Sequence, residues 1–380
     1  MRDSLPLGLY IHIPFCAAKC AYCDFYSLPH SEDKMDRYTQ ALCRHLKEAA
    51  PNAASYTVDT VYFGGGTPSY LGAERLNALL TTVKEFYRVE PEAEITLEAN
   101  PDSARDNRAL RQLRRAGFNR LSLGVQSGDD ELLRAIGRIH TWRQAVEAVE
   151  AARLAQFDNI SLDLMYGLPG QTEAQWRDTL EKVIALSPEH ISCYGLKPEK
   201  GTPLYRQRKT LALPDDDGQA DLYLTAVTRL RQAGYELYEI SNFAKMGYRS
   251  RHNLKYWHME EYLGFGPGAH SDFGGVRYAY ERDLDGYVAG KAALSEKTEI
   301  SLSERRREYA MLSLRTAEGI SRQKMESAFH RSFAPLESIF KRCAQSGLAE
   351  ATGEGWRLTP EGFLVSNQII GAVLEAMEKN

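Results

Sequence analysis

Residues 7–23 read LGLYIHIPFCAAKCAYC, and the fold is predicted from the features of this stretch. It opens with a run of aliphatic and aromatic side chains, which is typical of a buried strand. Three cysteines follow at once, Cys16, Cys20 and Cys23, at spacings of four and three residues. Thiolates presented by one loop can converge on a single inorganic centre, and thiolates are the ligands of iron–sulfur clusters.

The number of cysteines favours a [4Fe-4S] cluster with one open iron. Most clusters take four thiolates, so a cluster held by three has one iron to which a small molecule can bind. A zinc site completed by His12 or His30 and a redox C-x-x-C pair are the alternatives. Structural zinc usually draws on two separated ligand pairs, and the sequence has no second pair. The remaining cysteines are predicted to be small buried hydrophobes: Cys43, Cys193 and Cys343.

Strand-like and helix-like patterns alternate through the first half of the chain. Strands are predicted at 7–14, 57–63, 94–99, 120–125, 159–166 and 190–195. Helices are predicted between them at 35–49, 73–87, 104–116, 142–155 and 173–186. Thr141 with Gln144, and Thr172 with Gln175, have the spacing of capping boxes at helix starts. This alternation predicts a parallel sheet with right-handed crossovers, in which ligands bind at the carboxyl ends of the strands.

The pattern divides the chain into three parts. Residues 1–198 carry the barrel, residues 199–300 a flanking region, and residues 301–380 a small C-terminal domain. The flanking region begins with a loop excursion at 199–218 and a helix at 219–233. In the last part, short helices and a β-turn pattern at 349–358 predict a winged-helix-like α+β domain.

The composition is that of an ordinary globular protein, with 380 residues, 26% of them charged, and a formal net charge of −4. This charge excludes a polyanion-binding surface over the whole molecule. Because there is no signal peptide and no run of about 18 apolar residues, we predict a cytoplasmic protein. A transient contact with a membrane surface and a homodimer stay open. The basic run at 305–307 predicts a solvated face and no nucleic-acid partner.

A glycine-rich turn, Gly64-Gly-Gly-Thr-Pro68, follows the second predicted strand. Glycine lets the backbone approach a ligand closely, and successive N–H groups can form an anion-binding nest. A tight turn would use the same residues, but the position at a strand end beside the cysteines favours a ligand-binding role.

The C-x3-C-x2-C spacing directly after a first strand resembles the signature of the radical S-adenosylmethionine (SAM) superfamily. The resemblance implies a partial, TIM-like (β/α)6 barrel, which agrees with the six predicted strands. It also implies a [4Fe-4S] cluster on Cys16, Cys20 and Cys23, with SAM chelating the open iron through its amino and carboxylate groups. Reduction by such a cluster splits SAM to a 5′-deoxyadenosyl radical.

Further residues resemble the coproporphyrinogen dehydrogenase-like subgroup of that superfamily. Carboxylates accept hydrogen bonds from amino groups or ribose hydroxyls, and a guanidinium can clamp a carboxylate. By this resemblance, the residues that bind SAM are Tyr10, Tyr22, Gly65, Gly66, Thr67, Glu98, Gln126, Arg138 and Asp163.

Two functions fit this subgroup: oxygen-independent coproporphyrinogen dehydrogenase, a decarboxylase of heme synthesis, and the HemW group of heme chaperones. The dehydrogenase pattern has a further cysteine where this chain has Phe25. It also has an extended segment before the first strand, which begins here at about residue 7. Residues 251–257 (RHNLKYW) contain the H-N-x-x-Y-W pattern of the chaperone group. These features favour the chaperone.

The H-N-x-x-Y-W pattern predicts a heme site at His252, Asn253, Tyr256 and Trp257. Imidazole is a usual axial ligand of heme iron, and aromatic rings can cover a porphyrin face. His258 and His270 are alternative ligands, and we also predict that the heme propionates pair with three flanking basic residues: Arg249, Arg251 and Lys255.

The predicted function is therefore delivery of heme to acceptor hemoproteins such as respiratory enzymes. Methyltransferases of the same architecture are a weaker alternative, because the heme pattern argues against them. The sequence does not decide whether SAM is cleaved or whether the protein is an enzyme.

Overall fold

The computed structural model describes residues 4–29 and 31–378. It contains the six predicted strands, with bounds shifted by a few residues: Leu5–Ile13, Tyr56–Gly65, Val89–Ala99, Arg120–Gln126, Ile160–Tyr166 and His190–Gly195. The α-helices between them are Met35–Ala49, Ala73–Phe86, Asn107–Ala116, Asp130–Ala135, Trp142–Leu154 and Glu173–Ala185. Short 3₁₀ helices occupy Glu32–Lys34, Ala50–Ala53 and Pro68–Leu71.

Local chemistry sets the helix ends. The hydroxyls of Thr141 and Thr172 accept from the N–H groups of Gln144 and Gln175, and each glutamine side chain accepts from the threonine N–H in return. Both predicted capping boxes are thus confirmed. The helix Asn107–Ala116 ends at a glycine in the left-handed region, as C-terminal caps commonly do.

The six strands lie side by side in chain order, and all five pairings between them are parallel. A seventh parallel strand, Tyr262–Phe265, pairs with the other side of Leu5–Ile13. Beyond His190–Gly195 the antiparallel strands Asn242–Ala244 and Glu236–Glu239 complete that side. The barrel is therefore open, with a gap between its two ends, as the partial-barrel prediction requires.

The region 199–300 extends the same sheet and adds helices. The helix predicted at 219–233 begins earlier, because the Asp215 side chain caps it by accepting from the N–H of Gly218. The helices of this region are Pro203–Gln207, Asp216–Gln232, Arg251–His258 and Leu284–Val288. Its further strands are His270–Phe273, Val276–Tyr280 and Leu294–Glu299. The last of these strands is the outer edge of the sheet, and all six of its residues are exposed.

The C-terminal region is a separate antiparallel sheet of three short strands with helices around it. The predicted β-turn pattern is confirmed by the pairing of Ala349–Ala351 with Gly355–Leu358, which also pairs with Ile320–Ser321. The helices are Leu302–Ser313, Arg322–Ser327, Ala334–Gln345, Pro360–Leu364 and Ser366–Glu378. Within the described residues, none of the helices has the length and apolar character needed to cross a bilayer.

The period-2 geometry of the strands separates an apolar outside from a polar inside. In the strand Arg120–Gln126, Leu121, Leu123 and Val125 belong to the main hydrophobic core. The alternate residues Ser122 and Gly124 line an interior cavity. Because successive side chains of a strand point to opposite faces, the cavity lies inside the barrel and the core lies under the helices.

Candidate cofactor site

One cavity of about 510 Å³ opens at the carboxyl ends of the barrel strands. Its lining includes all three clustered cysteines, Cys16, Cys20 and Cys23. It also includes these residues predicted to bind SAM: Tyr22, Gly65, Gly66, Thr67, Glu98, Gln126, Arg138 and Asp163. Residues that are up to 147 positions apart in the chain therefore meet at one rim, as expected for parallel strands.

Polar donors surround the cysteine sulfurs. The Thr67 hydroxyl donates to Cys16 Sγ at 3.4 Å, and Arg138 Nη1 donates to Cys20 Sγ at 3.5 Å. Burial raises the pKa of Cys16 and Cys23. Three sulfurs on one cavity wall, with O–H and N–H donors directed at them, suit the thiolate ligands of an iron–sulfur cluster.

The zinc alternative finds no support in the described residues. The ring of His12 is engaged at both nitrogens, 3.0 Å from the Tyr10 hydroxyl and 2.9 Å from the Tyr26 carbonyl. His30 lies outside the described residues.

The glycine turn packs against the cysteine segment. Gly65 has φ of 116°, and a Cβ there would lie 2.4 Å from the His12 ring. A Cβ on Gly66 would lie 2.7 Å from the Phe15 carbonyl oxygen. Only glycine allows this close approach.

The predicted anion nest on this turn is not formed. Gly65 N–H donates to a Glu98 carboxylate oxygen at 3.0 Å. Gly66 N–H donates to the Ile13 carbonyl and Thr67 N–H to the Phe15 carbonyl, just before Cys16, at 2.8 Å each. The turn therefore fixes the cysteine segment in place, because its N–H groups are used within the protein.

Glu98 is an acidic group held inside the cavity. Its carboxylate accepts from the Tyr62 hydroxyl at 2.7 Å as well as from Gly65. Burial raises its pKa to about 7, although these two hydrogen bonds favour the ionised form. A buried carboxyl group whose pKa is near 7 can ionise beside a cationic ligand and accept a hydrogen bond from the amino group of that ligand.

Arg138 contacts three different elements. Its Nη2 donates to Asn100 Oδ1 at 2.8 Å and to the Gly124 carbonyl, while Nη1 approaches Cys20 Sγ. Much of the guanidinium is thus already occupied in the described conformation. The adjacent Gln126 has φ of 67°, an unusual value for a non-glycine residue and one often found at functional sites.

Asp163 lies among hydroxyl groups of three neighbouring strands. It accepts from Ser122 at 2.9 Å, from Ser192 at 2.7 Å and from Ser161 at 3.3 Å. Burial raises the pKa of Asp163 despite these donors. The hydroxyls hold its carboxylate in a defined orientation inside the cavity.

Tyr10 is not in the cavity lining. Its hydroxyl lies beside His12, and its ring stacks on Tyr62 with centroids 6.2 Å apart. Tyr62 is the aromatic residue that borders the cavity in its place. Five further lining residues were not predicted from the sequence: Asn100, Arg120, Ser122, Ser192 and Tyr194. Their alternation along predicted strands is the signal that would have found them.

The helix Arg251–His258, here called the motif helix, carries the predicted heme pattern. His252 is 0% exposed, and its ring stacks on Tyr62 at 5.1 Å. His252 Nδ1 lies 2.9 Å from Thr60 Oγ1, and Nε2 lies 2.8 Å from the Tyr256 hydroxyl. Burial lowers the pKa of His252 to about 3, so the ring is neutral.

The four residues of the heme pattern do not meet at one surface. Asn253 lines the cofactor cavity. Tyr256 is inside, hydrogen-bonded to His252. Trp257 lines a second cavity of about 350 Å³, together with His258 and residues of the C-terminal region such as Tyr309.

In the described conformation, the basic residues predicted to pair with heme propionates have other partners. The Lys255 side chain is only 3% exposed and lies 2.8 Å from both Asp59 and Glu260. Arg249 pairs with Glu236 at 3.2 Å, and Arg251 donates to the Glu92 carbonyl at 2.7 Å. These contacts fix the motif helix to the barrel and leave no cluster of free cations.

Comparison with known proteins identifies the family. The radical SAM superfamily model matches residues 10–183, and the HemN C-terminal domain model matches residues 300–365. The chain is 37% identical over 373 residues to the heme chaperone HemW of Bacillus subtilis, covering 96% of this chain and 98% of that one. The chain belongs to the HemW family. The HemW of Escherichia coli is 35% identical over 384 residues, covering 96% and 97% of the two chains.

Membership in the HemW family confirms the predicted superfamily, subgroup and fold. The solved structure of the radical SAM enzyme coproporphyrinogen III oxidase (HemN) from Escherichia coli superposes with a TM-score of 0.84 at 25% identity. That match covers 97% of this chain and 90% of the enzyme, so both the open barrel and the C-terminal domain are shared. Membership in the radical SAM superfamily implies a [4Fe-4S] cluster and SAM.

Proposed function

We propose that the protein is a heme chaperone that binds heme and delivers it to acceptor hemoproteins. The similarity to HemW proteins along nearly the whole chain is the observation that carries the proposal. The three cysteines at one cavity rim support the proposal, because they can supply the thiolate ligands of the [4Fe-4S] cluster that the family implies. Delivery takes place in the cytoplasm. Respiratory enzymes as acceptors, membrane-surface contact and a homodimer stay predictions.

Cys16, Cys20 and Cys23 are proposed to hold the [4Fe-4S] cluster, with SAM in the adjoining cavity. When bound, such a cluster supplies reductive cleavage of SAM. Glu98 accepts from the amino group of SAM, and Asp163 accepts from a hydroxyl or cationic group. The other proposed SAM contacts are Tyr10, Tyr22, Gly65, Gly66, Thr67, Gln126 and Arg138.

His252 is the proposed axial ligand of heme iron, with Asn253, Tyr256 and Trp257 beside it. In the described conformation both of its ring nitrogens are within hydrogen-bonding distance of a hydroxyl. Coordination through Nε2 therefore requires the Tyr256 hydroxyl to move away, at a cost of about 1 kcal/mol. It also requires the motif helix to shift, because the His252 side chain is enclosed.

Heme titration of the anaerobically reconstituted protein tests this assignment. We expect His252→Ala to lose the axial-ligand spectrum and to bind heme at least about tenfold more weakly, the effect of about 1.4 kcal/mol. His330→Asn is the control, because His330 is an exposed histidine of the C-terminal region. Loss of the spectrum in His258→Ala instead would make His258 the ligand. Equal spectra and affinities for the native chain and His252→Ala would exclude His252 as the ligand.

Coproporphyrinogen III oxidation is the second candidate function, because the HemN structure matches with a TM-score of 0.84. At the position where the dehydrogenase pattern has a further cysteine, this chain has Phe25, which lines the cavity and is 65% exposed. The same reconstituted preparation, incubated with coproporphyrinogen, SAM and a reductant, distinguishes the two. Formation of protoporphyrinogen would establish the oxidase and displace the chaperone as the main function.

A further inference from the structure

Arg120 is a buried cation on the floor of the cofactor cavity. It begins the barrel strand Arg120–Gln126, while Gln126 ends that strand at the rim. Both residues line the cavity, so the cavity extends along the strand from the rim to its amino-terminal end. Arg120 is only 1% exposed and is among the largest fully buried side chains of the described residues.

Two of the three guanidinium nitrogens of Arg120 lack a hydrogen-bond partner in the described part of the chain. Nε and Nη1 are buried without a hydrogen-bond acceptor. No carboxylate of residues 4–29 and 31–378 lies within ion-pair distance of it. Arginine stays charged in proteins, so it cannot avoid the cost of burial by losing its proton.

The carboxylates around Arg120 are already held by other donors. Glu94 accepts from the backbone N–H groups of Arg251 and His252, at 3.0 Å each. Glu98 accepts from Tyr62 and Gly65, and Asp163 accepts from serine hydroxyls. These acids act on Arg120 through space, but none accepts a hydrogen bond from its Nε or Nη1.

We propose that Arg120 receives the carboxylate of a small ligand, distinct from SAM, on the cavity floor. A planar guanidinium matches a carboxylate in geometry and charge, which gives the buried cation its missing acceptor. A monoanion is favoured over phosphate, because Glu98 and Asp163 repel a second negative charge. The carboxylate belongs either to a free monocarboxylic acid or to the propionate arm of a porphyrin.

Thermal unfolding in sodium propionate tests the proposal on the anaerobically reconstituted protein. Sodium chloride at equal ionic strength is the reference, and the exposed Arg111→Met is the control variant. We expect propionate to raise the unfolding temperature of the native chain and of the control. Arg120→Met removes the charge and both N–H donors of the planar group, so it should bind propionate about tenfold more weakly or worse. Arg120→Lys keeps the positive charge but lacks the planar guanidinium that binds a carboxylate with two hydrogen bonds, so propionate should raise its unfolding temperature only slightly.

Equal propionate responses in all these proteins, or no response in any, would overturn the proposal. A response that saturating SAM removes would overturn it too, because the carboxylate would then share the site of SAM. Hemin and its dimethyl ester identify the source of the carboxylate. If the propionate arm of a porphyrin occupies the site, Arg120→Met weakens hemin binding and leaves the ester unaffected; if neither changes, the ligand is a free acid. The His252→Ala titration is independent of Arg120, so failure here leaves the chaperone proposal standing.

Discussion

Glu94 connects the third barrel strand to the motif helix, and its removal should loosen that helix. Its two carboxylate oxygens accept from the N–H groups of Arg251 and His252, which lie in the first turn of the helix and have no partner within it. Glu94 is 6% exposed and His252 is 0% exposed, so water does not readily replace the carboxylate. The negative charge also favours the positive end of the helix dipole.

The size of the effect follows from these contacts. In Glu94→Ala the His252 N–H is left buried and unsatisfied, which costs about 1–3 kcal/mol. The Arg251 N–H is nearer to solvent and adds about 0.5–1 kcal/mol, and loss of the helix-terminal charge adds about 0.3–1 kcal/mol. We expect a total near 3 kcal/mol, which corresponds to roughly a hundredfold faster amide exchange across the motif helix.

Hydrogen exchange read by mass spectrometry on peptides that cover 251–258 is the assay, with urea unfolding as a second measurement. Glu92→Ala is the control, because Glu92 is an exposed acid two residues away on the same strand. Glu94→Gln keeps one acceptor oxygen and should fall between the native chain and Glu94→Ala. If Glu94→Ala exchanges no faster than Glu92→Ala, the Glu94 carboxylate does not hold the motif helix.

Three further variants test the interior. Glu98→Gln should flatten the pH dependence of the free energy of unfolding. Burial raises the pKa of Glu98 from 4.5 to about 7, so its contribution to stability is full below pH 4.5 and is lost as the pH rises through about 7. Parallel curves for the native chain and the variant between these pH values would contradict this prediction. Lys255→Met should lower the free energy of unfolding in urea by about 1–3 kcal/mol, because Asp59, whose side chain is 15% exposed, loses its partner at 2.8 Å and keeps Arg251 at 4.0 Å. The exposed edge-strand change Lys297→Met should have little effect. Gly66→Ala places a Cβ 2.7 Å from the Phe15 carbonyl and should reduce the iron bound per chain after reconstitution, while Gly353→Ala, with nothing within 4 Å, should bind iron normally.

The barrel was predictable because each of its units is locally encoded. Apolar runs set the six strands, and the threonine and glycine caps set the helix ends. The seventh parallel strand, Tyr262–Phe265, was not found, because it is only four residues long and pairs with Leu5–Ile13 from the far end of the chain. Local periodicity contains no information on such a pairing.

The site was predicted well where backbone and cysteine spacing decide the position, and less well where side-chain partners decide it. The three cysteines and most of the proposed SAM residues meet in one cavity. The interior polar residues Arg120 and Tyr62 were missed, because a lone polar or aromatic residue within a strand reveals neither its neighbours nor its face. The heme pattern likewise did not indicate that Lys255 forms ion pairs with Asp59 and Glu260.

The exposed edge strand Leu294–Glu299 has a consequence for association between molecules. An unpaired strand edge is a template for strand addition and aggregation, and natural proteins block it with charge. Here Glu296, Lys297 and Glu299 supply that charge on a strand with no buried residue. At the opposite end of the sheet, Glu239 bridges to Thr316 of the C-terminal region. Within the described residues, the twelve-stranded sheet thus carries charge along one margin and a bridge to the C-terminal region at the other, so neither margin is a bare template for strand addition.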